Sequence, residues 1–217
     1  AGVACEIEGY HHSTRTHWKI VSDASVEGGF EVVSPVLKGT EGLNELEKVC
    51  GALVNAGAKI KKCCGLHVHL GTSDFKTNIA VWKRLYKNYA ALESAIDSFM
   101  PPSRRNNSYC RSLKVENWSA KIDGARNLED LERRVTGRSR YFKLNSQSYW
   151  RHHTVEFRQH SGSVEFEKVK NWILFCARFV EFSKKNTVAS EEKSELKKFL
   201  SDDLVSFYNN RAARFAA

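Results

Sequence analysis

No stretch of this sequence is apolar for the roughly 20 residues that a membrane-spanning helix requires. The best candidate, Trp172 to Val180, is short and carries Arg178, so a helical membrane protein is not expected. Nor is there an apolar leader near the start, because Glu6 and Glu8 stand where one would lie; the expectation is a cytoplasmic chain. Proline is scarce, three in 217 residues, so breaks are few: Pro35 and the pair Pro101-Pro102. The six cysteines (Cys5, Cys50, Cys63, Cys64, Cys110, Cys176) never form a CxxC pair, which argues against a structural zinc site. A chain of this length needs no disulfide stapling, so they are read as reduced. Phosphate-cradling P-loop, GxGxxG and GxSxG motifs are missing. So are helix-turn-helix, zinc-finger and RNA-recognition signatures, internal repeats and low-complexity tracts.

What is present is an ordinary globular composition with a strong positive excess. Hydrophobic residues make up 41% and charged residues 27% of the chain, and the formal net charge is +9. The length suits one compact domain over 1–217, with a core of about 3–182 and a helical extension of about 188–217. The charge suits a soluble basic surface, or attraction to a polyanion or a multiply charged small molecule.

Periodicity supplies the elements. Residues 3–9, 17–22 and 30–34 read as strands, with a turn around Asp23-Ala24-Ser25 and Gly28-Gly29 leading into the third. Leu43, Leu46, Val49, Cys50 and Leu53 mark an amphipathic helix over 42–56. Leu66 to Gly71 is a strand. A long helix over 75–100 carries the stripe Ile79, Trp82, Leu85, Tyr86, Tyr89, Leu92, Ile96, Phe99. A polar loop over 103–118 and a short helix over 128–135 follow. Tyr141 to Asn145 and Thr154 to His160 look like paired strands joined by a polar turn. Helices over 164–182 and 191–208 complete the chain. Strands that alternate polar with apolar residues, among long helices, predict an α+β fold. Its sheet is expected to be mostly antiparallel and curved, with helices packed on one face.

The chemistry-bearing residues sit at strand spacing. Alternate residues of a strand share a face, so Glu6 pairs with Glu8, His67 with His69, and Glu156 with Arg158. Two carboxylates roughly 6–7 Å apart repel unless a cation lies between them. Carboxylates outnumber imidazoles among the candidates, which favours Mg²⁺ or Mn²⁺ over zinc. One sheet face carrying all these groups forms an acidic, metal-holding surface with a cation at its edge. That combination suits nucleotide-dependent phosphoryl transfer.

The motifs ExE, D-x-S (Asp23-Ala24-Ser25), FEVVSP (30–35), CGLHVH (64–69), SRRxNxYC (103–110) and VEFRQHSG (155–162), followed by a Trp-containing helix, occur in that order. Together, over roughly residues 3–182, they resemble the amidoligase family. That family belongs to the carboxylate–amine/ammonia ligases, with glutamine synthetase and glutamate–cysteine ligase as distant relatives. The resemblance implies a glutamine-synthetase-like catalytic core on an antiparallel sheet, with ATP and Mg²⁺ or Mn²⁺ as cofactors. A carboxylate substrate is phosphorylated and an amine attacks the acyl phosphate, so the partners are an acid and an amine, as small molecules, peptides or macromolecules. By the same resemblance Glu6, Glu8, Asp23, Glu31, His67 and Glu156 are metal ligands, with Glu27 competing with Asp23. Glu8, Glu156 and Arg158 are catalytic. His69 and Arg158 lie at the nucleotide phosphates, and Arg104, Arg105, Arg140 and Lys143 fall where relatives place cations. Asn145, Gln159 and His160 are substrate-side groups without a fixed role, and the His11-His12 loop lines the substrate mouth or is plain surface. Two other readings compete: a nucleic-acid-binding module without catalysis, and a metal-dependent hydrolase.

Overall fold

The computed structural model describes residues 2–23, 26, 28–76 and 78–216. Part of the turn at Asp23-Ala24-Ser25, and Glu27, lie outside the described residues. The architecture is α+β, in two compact units: residues 1–64 with 162–170, and residues 65–161 with 171–217.

The first unit holds a three-stranded sheet, β1 (Cys5–Glu8), β2 (Trp18–Asp23) and β3 (Gly29–Val33), and the helix α1 (Gly39–Asn55). Strand order is β1-β2-β3; β1 runs parallel to β2, and β2 antiparallel to β3. The parallel pairing needs a return connection along a strand only four residues long, and residues 9–17 span that distance without a crossover helix. Leu46, Val49 and Cys50 form the buried stripe of α1, as the periodicity predicts. Trp18 is 4% exposed and its indole Nε1 donates to Glu45 of α1 at 2.5 Å. Strand register puts Cys5 beside Trp18, Ile7 beside Ile20, and Ile20 beside Val32 on one face. On that face Ile7 stays 83% and Phe30 68% exposed.

The second unit contains β4 (Val68–Gly71), α2 (Ile79–Ser98), α3 (Trp118–Asp123), α4 (Leu128–Val135), β5 (Leu144–Asn145), α5 (Tyr149–His152) and β6 (Thr154–Phe157). It also holds α6 (Phe166–Lys185) from Asn171 onward, and α7 (Asp202–Ala216). Its sheet is antiparallel throughout, in the order β4-β6-β5. Val68, Leu144, Val155 and Phe157 turn to a core built with Trp82, Leu85, Tyr89 and Ile96 of α2 and Trp172, Phe175 and Phe179 of α6. Helix α2 begins on Asn78, whose side chain accepts from the Ala80 amide at 3.1 Å. Helix α4 begins on Asn127, which accepts from the Asp130 amide at 2.8 Å while Asp130 accepts from the Arg126 amide at 3.1 Å. Such side-chain capping fixes where a helix starts.

Three expectations are corrected. The single, mostly antiparallel sheet is in fact two small open sheets, one mixed and one antiparallel; alternation reports which way a side chain faces, not which strand is its neighbour. The expected helix over 191–208 is a 3-10 turn, Lys193–Lys198, followed by α7 starting at Asp202. Asp202 and Asp203 occupy the first turn of α7, where negative charge favours a helix start. The polar turn expected before β6 contains the short helix α5, which ends at His153 with φ of 51°.

Candidate functional site

In the first sheet, paired residues Glu8, Val21 and Glu31 form one row across the strands, and Glu6, Lys19 and Val33 another. Asp23 and the alternating residues of β2 fall on the same side, so all four acids expected in this unit share one face. Strand spacing sets the Glu8 and Glu31 backbones about 10 Å apart. Alternation backwards along β2 brings His17 to this face as well. His17 Nε2 lies 3.0 Å from Glu8 Oε1 and 3.5 Å from Glu6 Oε2. Among the described residues, Glu6, Glu8 and His17 are the one set of three possible metal donors whose ligand atoms all lie within 4.8 Å of one another. The donor set, two carboxylates and an imidazole, fits a hard or borderline divalent cation.

Glu8 also faces cations of its own chain. Arg15 reaches it in a fork, Nη2 to Oε2 at 2.8 Å and Nε to Oε1 at 3.2 Å, and His11 Nε2 touches Oε2. Hydrogen bonds from Arg15 first, then from His17 and His11, hold the Glu8 carboxyl far below the usual carboxylate range. Lys19, 3% exposed, donates to the carbonyls of His11 and Ser13, each at 3.0 Å. The connection carrying His11 and Arg15 is thereby tied to β2. A cleft of about 480 Å³ opens beside His17, bordered by Thr16 and by Glu41, Asn44, Glu45 and Lys48 of α1.

In the second sheet, His69, Glu156 and Asn145 form one row. Glu156 is 5% exposed. Its Oε1 accepts from Arg158 Nη1 at 2.5 Å and lies 3.5 Å from His67 Nδ1 and 3.6 Å from His69 Nε2. Its Oε2 accepts from Asn145 Nδ2 at 2.7 Å. Burial is the largest single influence on Glu156 and pushes its carboxyl up, but Arg158, the two imidazoles and Asn145 together outweigh it and hold the group below its ordinary value. Burial first, then Arg158, pulls His67 down to about 4. Burial likewise lowers His69, against the pull of Glu156. At neutral pH the group therefore consists of an ionised carboxylate and uncharged imidazoles, the protonation states that metal ligation needs. Gly65 matters here: a Cβ on it would come within 3.1 Å of His67 Nε2 and 3.2 Å of Arg104 Nη2.

The cations expected at phosphates have diverse surroundings. Arg158, 7% exposed, is oriented by Glu156, by the Tyr109 carbonyl at 3.3 Å, and by the Tyr141 ring beneath it at 5.6 Å. Arg104, 2% exposed, gives its donors to the Arg158 and Gln159 carbonyls. Lys143, with no exposure, bonds Glu93 at 3.1 Å and Asp97 at 2.7 Å on α2. Arg105 Nε donates to the Met100 carbonyl at 2.9 Å. Arg140 lies over Tyr141 at 5.2 Å and lowers that phenol. Gln159 accepts from the Tyr89 hydroxyl at 2.6 Å, and the His160 ring packs on Trp172 at 5.3 Å. His11 turns out to be a partner of Glu8. His17 is the residue the sequence reading missed, and its signal is the alternation His17, Lys19, Val21, Asp23.

The expectation that every candidate ligand occupies one sheet face is also corrected. Glu6, Glu8, Asp23 and Glu31 belong to the first sheet; Glu156 and His69 belong to the second, with His67 just before β4. No curated protein and no solved structure matches the chain. A family model described as "Putative amidoligase enzyme" matches residues 6–180. That span begins on the first carboxylate of β1, runs through the Glu156 row and ends within α6. The chain belongs to this amidoligase family, and with it to the enzymes that form amide bonds.

Proposed function

We propose that the chain is an ATP-dependent carboxylate–amine ligase. The terminal phosphoryl group of ATP passes to a substrate carboxylate. An amine nitrogen then attacks the acyl carbon, the bond from carbon to the phosphate oxygen breaks, and the amine gives up a proton. Amide, ADP and inorganic phosphate are the products. Mg²⁺ or Mn²⁺, when bound, offsets phosphate charge and aligns the transferred group. In the first unit Glu6 and Glu8, with Asp23 and Glu31 on the same face, are the residues to hold metal. In the second unit His67 and Glu156 have the donor chemistry for it, and His69 and Arg158 meet phosphate oxygens. Arg158 is oriented in advance, so little reorganisation accompanies charge development. Arg104 and Lys143 act behind it as struts, while Arg105 and Arg140 are the remaining cations for phosphate or substrate carboxylate.

One observation carries this reading: the buried Glu156 carboxylate is kept ionised by Arg158 while two imidazoles approach the same oxygen. A purely structural ion pair has no need of either histidine. The test is Mg²⁺-dependent ADP release on mixing the chain with ATP and panels of acids and amines. Glu8→Gln and Glu156→Gln should each abolish it, and Arg158→Ala should cost about 3 kcal/mol of transition-state stabilisation. Wild-type turnover in both glutamine variants would overturn the assignment. Tight zinc binding without affinity for nucleotide would point to a hydrolase instead.

A further inference from the structure

Residues 9–17 carry more than a chain reversal requires. His11, Arg15 and His17 all end on one carboxylate, that of Glu8. Arg15 takes both of its oxygens, so a divalent cation at Glu8 competes with that fork for the same carboxylate. The remaining donors are already spaced for one. Neighbouring ligands around an octahedral cation with bonds near 2.1 Å stand about 3 Å apart. His17 Nε2 is 3.0 Å from Glu8 and 3.5 Å from Glu6, so a cation fits where these three side chains already converge.

The side chains differ in how far they are tied down. Lys19 is buried and anchors the His11 and Ser13 carbonyls. Arg15 has 42% of its side chain exposed and can swing to solvent without moving the backbone. Two like charges on one strand need a neutralising partner when no metal is bound, and Arg15 supplies one.

We propose that Arg15 is the resident counter-ion of this site, exchanged for a divalent cation, and that His17 is that cation's third protein ligand alongside Glu6 and Glu8. This rests on the reading of Glu6 and Glu8 as metal ligands. It makes residues 9–17 the device that keeps the acidic face neutral until metal arrives.

The experiment is a calorimetric titration of the full chain with Mn²⁺ alone, without nucleotide, acid or amine. Removing a unit charge from beside the cation in Arg15→Gln should tighten binding about tenfold. Arg15→Lys, which retains the charge, should bind far closer to wild type. His17→Ala should weaken binding about tenfold; His17→Gln serves in its place if thermal melting shows the alanine variant unfolded. Unchanged or weaker binding in Arg15→Gln, or wild-type binding in both folded His17 variants, overturns the proposal. Those failures, with Mg²⁺-dependent ADP release intact and sensitive to Glu8→Gln, would remove the counter-ion exchange and leave the ligase reading standing. Loss of that sensitivity would remove the ligase reading itself.

Discussion

Gly65 shows how finely single atoms set the second group. A methyl there meets the tips of His67 and Arg104, not backbone, so the neighbours can give by a few tenths of an ångström. Gly65→Ala is expected to cost about 1 kcal/mol in a urea titration, yet to weaken Mn²⁺-dependent nucleotide binding several-fold as His67 turns away. His67 also dictates a pH response. Its folded value, about 4, lies below its ordinary 6.5, so between those values the unfolded chain binds more protons and stability rises with pH. The stabilisation is present above 6.5 and lost as pH falls towards 4. Because 31% of the side chain is exposed, screening holds the loss to about 1–2 kcal/mol. Melting curves at pH 7 and pH 5 should show the difference, and His67→Ala should flatten it. Strand alternation made the shared face of Glu6 and Glu8 legible because it needs no partner to be read, whereas Asp23, expected in a turn, entered only through the family resemblance and proves to end β2. His17 escaped because one histidine ahead of a buried tryptophan is unremarkable until the β1–β2 register sets it beside the glutamates.

At the level of elements, helix α2 and the residue leading into β5 are joined by a charge cluster rather than by apolar packing alone. Lys143 is 1% exposed at its side chain and answers both Glu93 and Asp97; Glu93 also accepts from the Leu113 amide at 2.8 Å. Lys143→Met would leave two carboxylates without their cation and should destabilise the fold by about 3–5 kcal/mol. A matching fall in melting temperature and ADP release would mark the lysine as a strut; lost ADP release without lost stability would return it to the phosphates. Such a lysine reads in sequence like any cation in a phosphate-binding segment, because its partners come from a helix some fifty positions earlier. Helices α1, α2 and α6 were legible from their periodicity, and the short helix expected over 128–135 coincides with α4, whose Asn127 cap only the structure shows. Asn127→Ala should cost about 1 kcal/mol in a denaturant titration. The break before α7 was not legible, because apolar spacing runs straight through Leu196, Phe199, Leu200 and Leu204.

For the whole molecule, the +9 charge bears on partners, not on fold. No described helix is long and apolar enough to cross a membrane. Binding to DNA or RNA is expected to be weak and to fall steeply between about 50 and 200 mM salt. It should be indifferent to Glu156→Gln, whereas ADP release should not. Filter binding and a coupled ADP assay on the same preparations would separate the two; tight binding that survives salt would favour a nucleic-acid role.

The outer strand β1 has a practical corollary. It is only four residues long, among the described residues no strand pairs with its outer flank, and it displays Ile7 almost bare. Short strands and charged neighbours are how proteins discourage stacking at such a rim, and here the exposed Glu6 supplies the charge. Glu6→Gln should therefore make concentrated solutions turn cloudy, and Ile7→Lys should keep them clear.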